Sequence, residues 1–219
     1  MERKLMTRYF YKETGMYIDW DQLKSLPEID TLIDVGVGPE GTPDLYEKFK
    51  NKKLILIDPL EEAETFFKNS MADKGAVFFK TALGETDDEV IINVEDSIGR
   101  STILDVADIN YEGDPIEKRH VSVRKLDDVV KNIQLDRVGL KIDTEGYELN
   151  VIRGAREVLK STKFVLAEVR HNHESFHGVY KLHEFVKEMQ DNGFVLSKIL
   201  TAKPFIADLC FEPISELML

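Results

Sequence analysis

Two loops in this chain bring together residue types that do chemistry at short spacing. The first, Asp34-Val35-Gly36-Val37-Gly38-Pro39-Glu40-Gly41, follows the run Thr31 to Val35. It precedes Thr42-Pro43-Asp44-Leu45, a helix start with Thr42 as N-cap and Pro43 at the first helical position. Glycines in a strand-to-helix turn let backbone pass close to a ligand, and the helix N-terminus adds unpaired N–H groups. The second loop, Lys141-Ile142-Asp143-Thr144-Glu145-Gly146-Tyr147-Glu148, ends the apolar run from Val138. Alternation puts Leu140 and Ile142 on one face and Lys141 and Asp143 on the other. Charges in a buried parallel strand are costly unless paired or used. Lys141 and Asp143 are therefore either a structural ion pair near the strand end or part of a reaction centre beyond it. Glu145 and Glu148 also read as favourable charges near a helix N-terminus.

An acidic side chain about 20 residues past such a glycine turn, at the end of the next strand, accepts from the ribose hydroxyls of a nucleoside. Asp58, after Lys53 to Ile57, holds that position, although Asp58-Pro59 also suits a helix cap. Pyridine dinucleotides and S-adenosylmethionine both meet the turn and the acid. A pyrophosphate needs a third glycine for close approach, and here Glu40 stands in that place, where its carboxylate repels phosphate. A cofactor without phosphates, an adenosine bearing an amino acid through a cationic sulfur, fits better.

A third cluster, Glu168-Val169-Arg170-His171-Asn172-His173-Glu174-Ser175-Phe176-His177, follows the apolar run from Lys163. Its imidazoles can act as a base or position a substrate. Metal ligation is the less favoured use, because no second group of ligands appears at metal-site spacing.

These residues need a scaffold, and apolar runs alternate with helical patterns as a parallel α/β sheet requires. Ala76 to Phe79 reads as a short strand, and Thr81-Ala82-Leu83-Gly84 offers small residues for an adenine to lie along. Glu85 to Asp88 reads as a turn before a strand over Val90 to Val94, an insertion that simple Rossmann units lack. Asp96 to Arg119 is the longest irregular stretch, a substrate-covering or surface loop with Arg100 and Ser101 near its start. A strand over His120 to Arg124 leads to a short helix from Leu126. Val151, Ile152, Ala155, Val158 and Leu159 follow helical spacing and read as core. Val179, Leu182, Phe185, Val186 and Met189 mark a further helix that Asn192-Gly193 stops. Phe194 to Leu200 and Phe205 to Phe211, joined by Thr201 to Pro204, form an antiparallel edge hairpin. Residues 1–30 read as a cap segment and 31–219 as one globular domain. The cap's Tyr9, Phe10, Tyr11, Tyr17 and Trp20 either pack on the sheet or line a substrate or homodimer surface.

With 219 residues, 42% of them hydrophobic, the chain can bury a full core without a second domain. A formal net charge of −12 with no basic strip weighs against nucleic acid as partner and leaves a neutral or cationic small molecule as the easier one. Cys210 alone makes no disulfide framework, sits in an apolar run and reads as a buried thiol compatible with the reducing cytoplasm. No apolar run has the length of a membrane span, and the start lacks a signal-peptide apolar region.

Asp34-Val35-Gly36 with Gly38 and Gly41, Asp58-Pro59, Ala82-Leu83-Gly84, Leu126-Asp127-Asp128, Leu140 to Glu148, Gly154-Ala155 and Glu168-Val169 together resemble the FkbM-type S-adenosylmethionine-dependent methyltransferases. The resemblance runs in order from about Thr31 to Leu200, and the Lys-Ile-Asp-x-Glu-Gly-x-Glu block is its most specific piece. It implies a Rossmann-like class I methyltransferase sheet, mostly parallel with an antiparallel C-terminal edge strand and helices on both faces. It also implies S-adenosylmethionine as cofactor and methyl transfer to oxygen, commonly a hydroxyl of a sugar or secondary metabolite.

On this reading Asp34, Gly36, Gly38, Gly41, Asp58, Ala82 and Asp143 are expected to bind the cofactor. Asp143, His171 and Glu145 are the catalytic candidates, with Tyr147, His173, Arg100 and Ser101 contacting the acceptor and no metal. The alternatives are an NAD-dependent oxidoreductase and a non-catalytic S-adenosylmethionine-binding domain that regulates or assembles.

Overall fold

A computed structural model describes residues 23–105, 117–171, 176–202 and 205–217. The expectations for the aromatic cap residues up to Trp20, for His173 and for positions 106–116 of the long loop lie outside the described residues.

The chain begins its main sheet with β1 (Thr31–Val35), and α1 (Pro43–Lys48) leads to β2 (Lys53–Ile57). Next come α2 (Glu61–Ser70), β3 (Val77–Phe79), β4 (Ala82–Leu83), β5 (Asp88–Val94) and β6 (Glu117–Arg124). Helix α3 (Leu126–Val130) leads to β7 (Val138–Ile142), α4 (Glu148–Arg153), α5 (Arg156–Leu159) and β8 (Thr162–Arg170). Finally α6 (Leu182–Asp191), β9 (Phe194–Ala202), β10 (Ile206–Pro213) and α7 (Ile214–Leu217) follow.

Seven strands form the main sheet in the order β3-β2-β1-β7-β8-β10-β9. The first five run parallel, and β10 is antiparallel to both its neighbours. This is the mostly parallel α/β sheet that the alternation of runs predicts, with the expected antiparallel hairpin at one edge.

Period-two alternation distributes the apolar side chains to two cores. Ile33 and Val35, Ile55 and Ile57, Leu140 and Ile142, and Val165, Ala167 and Val169 face one side, packed with Val151, Ile152 and Ala155 and with Phe185 and Met189 of α6. Leu32, Leu54, Leu56, Phe164 and Leu166 face the other, packed with Leu45 and Tyr46 of α1 and Ala63 of α2. Leu23, Leu26 and Ile29 are buried against this second core. A sheet covered on both faces explains why its strands read as continuous apolar runs.

The chain between β3 and β7 builds a second sheet, β4-β6-β5. β5 pairs antiparallel with β6 from Asp88↔Val123 to Val94↔Glu117, so both strands extend beyond the expected Val90 and His120 starts. Their added residues are charged and face solvent, where Arg119 donates to both oxygens of Glu62 at 3.0 and 2.8 Å and to Glu117 at 2.8 Å. The irregular stretch is shortened accordingly, and it also holds a 3-10 turn at Ile98–Arg100 and a bridge from Thr102 to Asn93. The helical pattern after Gly146 is split in two, because the chain turns at Gly154 and Ala155.

Among the described residues, no helix is long and apolar enough to cross a membrane. Cys210 is fully buried, and burial pushes its thiol pKa up to about 11.

Candidate active site

Strand order reverses between β1 and β7: from β1 the chain builds outward to β2 and β3, then returns to β7 on the other side. In open α/β sheets ligands sit beyond the carboxyl ends of the strands at such a point. A cavity of about 740 Å³ opens there, lined by residues 35–42, Ile57 to Leu60, Thr81 to Leu83, the stretch around Ile98, and Lys141 with Asp143 to Glu145.

The glycine loop owes its shape to backbone that L side chains resist. Gly36 has φ +78°, and a Cβ there would stand 1.7 Å from the Asp143 carbonyl oxygen. The two loops therefore touch backbone to backbone, and the Asp143 N–H donates to Val35 O at 3.0 Å. Thr42 occupies the N-cap position of α1, yet its hydroxyl donates to Asp34 Oδ2 at 3.1 Å and makes no cap bond.

Asp34 itself has no exposed surface. It accepts from the Tyr46 hydroxyl as well, and Lys141 Nζ stands 3.1 Å from its Oδ1. Burial, followed by the Asp34 charge and hydrogen bond, pushes the Tyr46 pKa above its ordinary value.

Asp58 directly follows β2 and is 5% exposed at the cavity wall. Its Oδ2 accepts from Gly38 N–H at 3.0 Å and its Oδ1 from Leu60 N–H at 2.8 Å. Burial raises its pKa, opposed by those two N–H groups and by the charge of Lys141. Each carboxylate oxygen can accept two hydrogen bonds and accepts one from these N–H groups, so each keeps a lone pair for a further donor. The same residue organises its own turn and the glycine loop, although the N-cap position of α2 falls to Leu60.

Lys141 is the charge on which the loops converge. Its Nζ donates to Gly36 O at 3.0 Å and lies 3.5 Å from Asp143 Oδ2. Burial works to lower its pKa, but Asp34 and Asp143 outweigh it and hold the ammonium above its ordinary value. The proposed Lys141–Asp143 pair thus exists, with the buried Asp34 as its third and closer member.

Beyond Asp143 the backbone turns through Glu145 at φ +52° and Gly146 at φ +103°. A non-glycine residue in that region carries strain of about 1–3 kcal/mol. Three contacts hold it. The Thr102 hydroxyl donates to Glu145 O at 2.8 Å, Arg170 bonds the Glu145 carboxylate, and Glu148 draws in the loop from behind. The Arg170 guanidinium lies over the Phe176 ring, 4.6 Å from its centroid.

Of the residues expected at the site, Gly36, Gly38, Gly41, Asp58, Ala82, Asp143, Glu145, Tyr147 and Ser101 line the cavity. Asp34 lies beneath it as a support for Lys141, Thr42 and Tyr46, since a carboxylate on the inner face of a central strand is sealed off by its neighbours. Arg100 is outside the lining, with its Nε 3.6 Å from Glu95 Oε2. His171 is exposed and outside the lining, because its backbone N–H, donating to Phe205 O at 3.1 Å, continues the pairing of β8 with the β10 hairpin.

Glu168, which heads the third cluster, lines the cavity, as do Thr201 and Asp208, which were not singled out. Glu168 and Asp208 are register partners across β8 and β10, and the Thr201 hydroxyl bonds Asp208. The polar interruptions at Glu168 and Asp208 in otherwise apolar strands were the available signal. Carboxylate oxygens of Asp143, Glu145 and Glu168 come within 4.8 Å of one another, but Lys141 and Arg170 already supply cations to the first two.

The domain described as Methyltransferase FkbM domain matches residues 34–196. No curated protein matches the chain. Solved structures it resembles include a ribosomal protein L11 methylase from Lactobacillus delbrueckii subsp. bulgaricus, at 13% identity and TM-score 0.46 over 87% of this chain and 72% of that one. A putative S-adenosylmethionine dependent methyltransferase from Listeria monocytogenes resembles it at 11% identity and TM-score 0.49, over 89% of this chain and 97% of that one. Magnesium protoporphyrin IX methyltransferase from Synechocystis PCC 6803, with bound SAM, resembles it at 12% identity and TM-score 0.44, over 90% and 76% of the two chains.

Proposed function

The chain belongs to the FkbM methyltransferase domain family, and from that premise we propose that it transfers a methyl group from S-adenosylmethionine to a hydroxyl oxygen of a small molecule. The observation that carries this reading is Asp58, a nearly buried carboxylate with an unused lone pair on each oxygen, in one cavity with the glycine loop and Asp143. Asp58 would hold the ribose hydroxyls, the glycine loop the amino-acid portion, and Thr81 to Leu83 the base. Gly36 fits this use, since a Cβ there would fill the contact between the two loops. Glu40 in the lining disfavours a pyrophosphate. When bound, S-adenosylmethionine supplies an electrophilic methyl on a sulfonium.

The acceptor end is assigned to Asp143, Glu145 and Tyr147. Asp143 takes the hydroxyl proton, a contribution of roughly 10² to 10⁴-fold for a positioned base. The Lys141 ammonium, 3.5 Å from that carboxylate, adds positive charge where an alkoxide develops. Tyr147 orients the acceptor from the cavity wall. Alignment of acceptor oxygen and methyl, with reacting atoms roughly 3 Å apart, supplies much of the rest.

Mass spectrometry of the small molecule that co-purifies with the protein tests the cofactor. S-adenosylmethionine or S-adenosylhomocysteine supports the reading, and NAD overturns it. Labelled methyl appearing on a hydroxyl acceptor supports the finer assignment, whereas stable binding without any transfer to a broad acceptor panel favours a regulatory binding domain.

A further inference from the structure

Glu148 is the first residue of α4 and has no exposed surface. Beyond its own backbone N–H, its carboxylate serves the loop that precedes the helix. Oε1 turns back and accepts from Thr144 N–H at 2.9 Å, the Thr144 hydroxyl at 3.0 Å and Gly146 N–H at 2.9 Å. Oε2 accepts from the Tyr180 hydroxyl at 2.6 Å, and the Tyr180 ring is seated on Phe185 of α6 with centroids 5.5 Å apart. The carboxylate is thus anchored from the core side and grips the loop on both sides of Glu145.

The gripped loop is the one with left-handed backbone at two consecutive residues, Glu145 and Gly146. Asp143, Thr144, Glu145 and Tyr147 line the cavity, while Glu148 does not. A buried carboxylate is expensive to keep, and spending four hydrogen bonds on one is explicable if the shape of the loop depends on it.

We propose that Glu148 is the positioning residue of this methyltransferase: through its grip on Thr144 and Gly146 it sets the backbone that presents Asp143, Glu145 and Tyr147 to the cavity. The assignment rests on the functional reading above for what the loop contacts, and on geometry alone for what holds the loop. It separates two halves of the site. The adenosine half, around Asp58, has no bond to Glu148, so only the half toward the methyl group and acceptor depends on the grip.

Full-length Glu148→Gln, Glu148→Ala and Tyr180→Phe test this with two readouts, amide hydrogen exchange at Thr144 and Gly146, and calorimetry with S-adenosylmethionine and with adenosine. In Glu148→Ala the two amides should exchange about 100-fold faster, with S-adenosylmethionine bound about tenfold more weakly and adenosine within about twofold of wild type. Glu148→Gln keeps an acceptor oxygen and should restore most of both losses. Tyr180→Phe, which frees the carboxylate from its anchor, should show part of them.

Unchanged exchange and affinity in a folded Glu148→Ala would overturn the proposal. So would equal losses in the alanine and glutamine variants that extend to adenosine, the pattern of a general packing defect. Should the alanine variant not fold, wild-type exchange and affinity in Tyr180→Phe overturn it instead. Failure of the wild-type protein to bind S-adenosylmethionine would remove the functional reading, while exchange at Thr144 and Gly146 still decides whether Glu148 holds the loop.

Discussion

The ammonium of Lys141 stands 3.1 Å from a carboxylate oxygen of Asp34, a residue with no exposed surface, and this pair lies directly under both reaction loops. Removing one partner of a buried pair leaves the other uncompensated. Lys141→Met should lower folding stability by on the order of 3 kcal/mol. Chemical denaturation of Lys141→Met, Asp34→Asn and the double variant checks this. The double variant should lose less than the sum of the singles, and simple additivity would show that the pair is not coupled.

Asp58→Ala should weaken S-adenosylmethionine binding by about tenfold or more, since a hydrogen bond to a charged group is worth roughly 1.5–3 kcal/mol. Calorimetry on a folded variant is the measurement. Affinity equal to wild type would reduce Asp58 to its bonds with Gly38 and Leu60.

Asp143→Asn keeps the shape of the side chain and removes its basicity, so turnover should fall by about 10² or more with cofactor affinity nearly intact. Transfer of a labelled methyl group to the identified acceptor measures this. Retained turnover would move the base to another lining carboxylate, with Glu168 the first to try.

Gly36→Ala and Gly75→Ala separate strain from collision. Both glycines have positive φ, +78° and +76°, but only Gly36 would bring a Cβ within 1.7 Å of backbone, whereas Gly75 faces open space. Gly75→Ala should cost about 1–2 kcal/mol. Gly36→Ala should cost well beyond that or fail to fold, and equal melting temperatures for the two would contradict the contact between the loops.

Burial raises the pKa of Glu148 despite the opposing bonds from Tyr180, Gly146 and Thr144. The folded protein therefore keeps this proton at pH values where the unfolded chain, titrating at about 4.3, has released it. The resulting stability is full below the unfolded value and is lost as pH rises through the higher folded value. Relative to Glu148→Gln, which has no such group, the wild-type denaturation midpoint should fall as pH is raised across that window. A difference curve that rises with pH would mean that the hydrogen bonds outweigh burial.

Two strands nearest the site were legible from sequence to the residue, Thr31–Val35 and Lys53–Ile57, and the strand from Val138 ends at Ile142, one residue before the expected Asp143; all three are short apolar runs bounded by polar or glycine-rich turns. The second sheet was less so, because β4 has only two residues and its partner β6 lies far along the chain. Asp34 read as a ligand contact because it adjoins the glycine loop, and nothing local reveals that Lys141, Thr42 and Tyr46 enclose it. Glu148 read as a charge near a helix start, and its reach back into the loop becomes visible only with Tyr180 beside it. His171 follows a strand end, where functional residues gather, but it lies exposed outside the cavity with its backbone N–H bonded to Phe205, a contact that nothing local in the sequence reveals.

The strand order β8-β10-β9 imposes a sequence of events as the chain leaves the ribosome. β9 is made before β10, yet among the described residues its only ladder is to β10. Until β10 has emerged, β9 has no place in the sheet, and the outer edge of β8, apolar from Phe164 to Ala167, stands open. An open apolar edge invites pairing with another nascent chain. The interval between synthesis of Thr162 and of Pro213 is therefore the window in which the edge of β8 is open to mispairing, and β10 is the strand whose arrival closes it.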